Sequence, residues 1–208
     1  MTAEDFLDRV RTENRTALSR LGSSKALYAD TGGDIDTEPV LRAAATAEHA
    51  ARETFEAWAD EEDGEAGEAF RATAEEEREH YETVVSKLDE DPDLDETPAI
   101  QAYLRDLDDT LDRAGGFVGR TLAAEKSKEQ LVGFFVGQAD PKSSQTFREM
   151  GDDLDAQLER GVSLLDSLCE SEADWDRALD AASGAIQAAY EEYTERLNEM
   201  GVNPKPVC

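Results

Sequence analysis

The sequence predicts an all-α protein. Apolar residues recur at three- and four-residue spacing through nearly every long stretch, and alternating β-branched runs are almost absent. A 44-residue segment also recurs at a fixed offset, as two copies of one helical hairpin would.

The helical pattern runs over 3–21, 38–62, 65–90, 98–114, 117–138, 143–169 and 173–200. The separators are turn and cap signals: Gly32-Gly33, Asp63-Gly64, Asp91-Pro92, Gly115-Gly116, Asp140-Pro141, Ser171 and Gly201. In the last helix Trp175, Leu179, Ala182, Ile186, Ala189, Tyr190 and Tyr193 fall on one face, so it is expected to lie on the bundle. Two prolines, Pro204 and Pro206, keep the following residues from being helical, and an extended tail ending in a free Cys208 thiol is expected. Three parts follow: a helix and loop over 1–37, a helical core over 38–169, and a last helix with its tail over 170–208.

Composition narrows the function. With 50 acidic against 21 basic residues, the formal charge is -29. Phosphate affinity needs clustered Lys and Arg, and no such cluster is present, so nucleic acid is not an expected partner. Only 6 of the basic residues are Lys, and this Lys-poor, acid-saturated composition resembles that of proteins from salt-accumulating halophiles. No uncharged run is longer than Gln130 to Ala139, about half of the ~20 residues that a membrane span needs. Acidic Glu4, Asp5 and Asp8 stand where a signal peptide would be basic and then apolar. The expectation is a cytoplasmic protein without a membrane partner. Two cysteines, Cys169 and Cys208, build neither a disulfide framework nor a CxxC motif. No phosphate loop, nucleophile elbow or Ser/His/Asp arrangement is evident.

The repeat aligns 46–89 with 123–166 at an offset of 77 residues, with ten identities that include Glu48/Glu125, Asp63/Asp140, Phe70/Phe147 and Arg71/Arg148. Two such hairpins would most simply pack as a four-helix bundle with matching faces inward. Glu48 sits mid-helix in the apolar-rich stretch Ala43 to Ala51, where a carboxylate is costly to bury unless it is paired or binds a cation. Glu77 and His80 are three residues apart, so carboxylate and imidazole project from the same side of their helix. His49 lies about 100° around the helix from Glu48 and cannot share its face. Phe55, Trp58, Phe134 and Phe135 read as core.

A Glu from each of two helices with a Glu-x-x-His from each of the others is the di-iron carboxylate arrangement. Through Phe70, Ala74-Glu75-Glu76-Glu77-Arg78-Glu79-His80, the upstream Glu48 and the duplication, the chain resembles the ferritin-like superfamily, most closely its rubrerythrin branch. The resemblance covers roughly 38–169. It implies a ferritin-like four-helix bundle with added terminal helices and iron or another divalent metal at Glu48, Glu77, His80 and Glu125. It also implies peroxide or dioxygen chemistry, and a homodimer. The pattern breaks at Leu154 and Gln157, which stand at the offset positions of Glu77 and His80, and no histidine follows residue 80. Three carboxylates and one imidazole suit one ion rather than two; a register slip or a kink at Gly151 would add Asp153 or Asp155. A redox reading needs an external electron donor, since no rubredoxin-type CxxC pair is present. The alternative is a metal-free helical regulatory or protein-interaction module that keeps only the fold, with the last helix and tail as its partner surface.

Overall fold

The computed structural model describes residues 1–94 and 96–204; Cys208 and the end of the tail lie outside the described residues. Nine helices and no strand occur among those described. Three short helices come first: α1 (Ala3–Glu13), α2 (Arg15–Leu21) and α3 (Ser24–Asp30). A long hairpin follows, α4 (Thr37–Glu61) and α5 (Gly64–Val85). After the short α6 (Ala99–Arg105) come a second long hairpin, α7 (Thr110–Gly137) and α8 (Pro141–Leu168), and the last helix, α9 (Glu172–Glu199). Each hairpin turns through two or three residues. Asp140 caps α8 by accepting from the amides of Lys142 and Ser143, with Pro141 in the first turn, where its missing N–H costs nothing.

The hairpins pack against each other with facing helices antiparallel. Glu48 meets Lys128 near the middle of α4 and α7, and Glu61 and Glu62 meet Arg113 farther along, so one helix ascends as the other descends. Likewise Thr73 and Glu76 meet Arg160, Glu77 meets Gln157, and His80 meets Asp153 along α5 and α8. Phe55, Trp58, Phe70 and Phe117 form an edge-on aromatic cluster at one end of this core, and Phe135 stacks on Phe147 at the other. Phe55, Trp58 and Phe135 are buried as expected, while Phe134 is half-buried.

The Gly115-Gly116 pair, read from sequence as a break, lies inside the continuous helix α7. The break comes earlier, between α6 and α7, where Asp109 caps the new helix by accepting from the Leu111 amide. The glycines serve packing. A Cβ on Gly115 would lie 2.4 Å from the Ala178 carbonyl oxygen, and one on Gly119 would lie 2.1 Å from that of Ala182. Backbone therefore meets backbone where α7 crosses α9, and the apolar face of α9 (Trp175, Leu179, Ala182, Ile186, Tyr193) is buried within the chain. Helix α3 and the early end of α5 at Val85 also differ from the sequence reading. Among the described residues, no helix is long and apolar enough to cross a membrane.

Gly119→Ala should destabilise the fold by about 1–3 kcal/mol, because the added methyl can be housed only by moving α9 away from α7. Denaturant unfolding checks this, with Gly133→Ala, whose Cβ meets nothing within 4 Å, as the reference for helix propensity.

Candidate functional site

The centre of the four long helices holds an unusual density of buried charge. Glu48, Glu77, Arg120, Lys128, His80 and Gln157 are all at least 95% buried. One ligand atom from each of Glu48, Glu77 and His80 lies within 4.8 Å of the others. Three of the four residues expected to bind metal are thus brought together, as helical spacing and an apolar-flanked Glu48 anticipate.

Glu125 is not among them. In the register that α4 and α7 adopt, the residue facing Glu48 is Lys128, one turn beyond Glu125. Glu125 is half-buried, with Arg11, Lys126 and Asp155 as its charged neighbours; burial, opposed by the two cations, raises its pKa above the ordinary carboxylate value.

Each buried carboxylate is held by a cation from α7. The Arg120 guanidinium donates two parallel hydrogen bonds to Glu77, Nη1 to Oε1 and Nη2 to Oε2, both 2.8 Å. Gln157 closes the arrangement: its Nε2 donates to Glu77 Oε1 at 2.8 Å and its Oε1 accepts from Arg120 Nη1 at 3.0 Å. The planar fork of Arg matches a carboxylate in this way and also lies over the Phe55 ring, 5.7 Å from its centroid. Lys128 Nζ donates to Glu48 Oε1. Burial disfavours the Glu48 carboxylate, but Lys128 and then His80 outweigh it and hold the group ionised well below the usual range.

His80 joins the two hairpins. Its Nε2 lies 3.0 Å from Asp153 Oδ2 on α8, and its Nδ1 lies 3.7 Å from Glu48 Oε2. Asp153, offered from sequence as a further ligand, instead reaches the imidazole from a largely exposed position, with α8 continuous through Gly151. His49 packs at a tilt against the Tyr81 ring and lies 3.3 Å from Glu53, apart from this centre. The Cys169 thiol is pushed up to about 11 by burial and by Asp174 and Asp166, so it is a poor nucleophile at neutral pH.

Most of this donor set is engaged within the protein. Both oxygens of Glu77 and one of Glu48 are already engaged, which leaves Glu48 Oε2 and His80 Nδ1 as the unpartnered donors of the cluster. The Lys128 and Arg120 charges also offset those of Glu48 and Glu77, so the cluster offers a divalent ion little net negative charge. Sequence reasoning looked only for metal-ligand types at matched positions and so missed both cations. The available signal was Arg120 inside the otherwise uncharged stretch Phe117 to Ala124; Lys128 lies among the charges of Glu125 to Glu129 and gave none. No protein-family model matches the chain, and no curated protein or solved structure is similar to it.

Burial opposes the His80 charge, yet Glu48 and then Glu77 more than compensate, so its pKa lies above the ordinary ~6.5. A raised folded-state pKa contributes stability that is complete below ~6.5 and is lost as pH climbs through the folded value. Denaturation midpoints between pH 6 and 9 should therefore fall with rising pH, and His80→Gln should flatten that fall.

Proposed function

We propose that the chain is a ferritin-like four-helix bundle working without a metal centre, as a helical binding or regulatory module and not as an iron oxidoreductase. The observation that carries this reading is the Arg120 fork on Glu77, completed by Gln157 and paralleled by Lys128 on Glu48. These internal cations supply the positive charge that metal ions supply in the di-iron arrangement. The duplicated hairpins, with antiparallel facing helices and a carboxylate-histidine cluster between them, support the ferritin-like reading of the fold. The leucine at 154, fully buried, adds apolar bulk where a further carboxylate would be needed.

A mononuclear site is the second reading, favoured by the mutual 4.8 Å approach of Glu48, Glu77 and His80. Elemental mass spectrometry decides between them, on untagged protein purified in molar KCl and then loaded anaerobically with ferrous iron and desalted. The metal-free reading expects no stoichiometric metal. One ion per chain that is lost in His80→Ala would establish the mononuclear site, and two would restore the redox reading.

A further inference from the structure

Between α4 and α7, beside the buried charges, lies a cavity of about 200 Å³. It exists because the facing positions are small: Ala43, Ala44 and Ala47 on α4, and Ala123, Ala124 and Ser127 on α7. Its remaining walls are mainly apolar, with Leu27, Val40, Leu131 and Tyr193 contributing. A cavity of about 150 Å³ is enough for benzene, so this one accepts a single small ring.

Its polar atoms specify more. Gln101, on α6, lines the cavity with 3% of its surface exposed, and its Oε1 has no hydrogen-bond partner. Glu48, also in the wall, accepts no hydrogen bond at Oε2, which lies 3.7 Å from the His80 imidazole. Both are acceptors, and a buried acceptor without a donor costs free energy that a ligand N–H or O–H recovers. The charged lining argues against an ionic guest. Asp30, Glu96 and Glu192 outnumber Arg196 on the partly exposed side, which repels anions, while Arg120 and Lys128 farther in are already paired with Glu77 and Glu48 and leave no net charge to hold an ion.

We propose that this cavity is a binding site for a small neutral molecule with one apolar ring and one hydroxyl or N–H donor, of phenol size, with Gln101 as the acceptor. The inference rests on the metal-free reading, since the Glu48–Lys128 ion pair forms part of the wall. Sites built around a hydrogen bond reject the analogue that lacks the group, because the buried partner is then left unpaired. Phenol and toluene, nearly equal in shape, are therefore the probes.

The test is a methyl-detected NMR titration of the full chain in molar KCl, following Leu27, Val40 and Leu131. Phenol should shift these methyls saturably and bind about tenfold or more tightly than toluene. Gln101→Leu, which keeps the volume and removes the acceptor, should bring the two ligands to within about twofold. Ala124→Phe should fill the space and abolish both responses. No saturable shift with phenol, equal affinity for toluene, or a phenol preference that survives Gln101→Leu overturns the proposal. Metal content read on the same sample separates the two failures: bound metal with the phenol preference intact refutes only the metal-free reading.

Discussion

Two carboxylates, Glu48 and Glu77, are buried where the four long helices meet, and neither can remain ionised there without a nearby positive charge. That constraint shapes the middle of the molecule. It requires α7 to present Arg120 and Lys128 inward, it gives Gln157 a role that an apolar residue could not fill, and it draws the His80 imidazole toward Glu48 on one side and Asp153 on the other. The orientation of α7 is fixed in turn by its opposite face. Gly115 and Gly119 seat on the backbone of α9 at Ala178 and Ala182, and a helix docked that closely has little freedom to rotate. The packing of α9 and the electrostatics of the centre are two consequences of one helix's placement.

Such a network contributes more to uniqueness than to net stability. Buried ion pairs return little over apolar packing of equal volume, whereas removing one partner alone is costly. The bidentate geometry, the glutamine clamp and the cation over Phe55 fix the relative height of α5, α7 and α8 in a way that an alanine- and leucine-lined interior would leave loosely specified. Small residues around Ala44 and Ala124 then leave space beside the network, so the same region that sets register also offers a cavity with an unpaired acceptor.

Much of the fold was legible because helical periodicity is strong and because Asp63, Asp140 and Ser171 mark helix starts. Gly115-Gly116 misled, since a glycine pair looks the same whether it ends a helix or lets another helix approach; only the partner, α9, distinguishes the two. The site was partly legible. Glu48, Glu77 and His80 announced themselves by spacing and by apolar surroundings. Glu125 was carried by the repeat, but the register of α7 against α4 puts Lys128 opposite Glu48, a fact about tertiary geometry that a linear offset does not contain. Gln157, at the offset position of His80, hydrogen-bonds Glu77, a carboxylate that the sequence resemblance had offered as a ligand.

The central claim is that Arg120 and Lys128 stand in the place of metal. Thermal melting with and without cobaltous ion, in molar KCl, addresses it on the native chain and on the Arg120→Gln, Lys128→Gln double variant. A ligand that binds only the folded state raises the melting temperature in proportion to its occupancy. The account predicts no rise for the native chain and a clear rise for the variant, whose freed carboxylates and His80 then form an open donor set. A rise in the native chain that Glu77→Gln abolishes would contradict it.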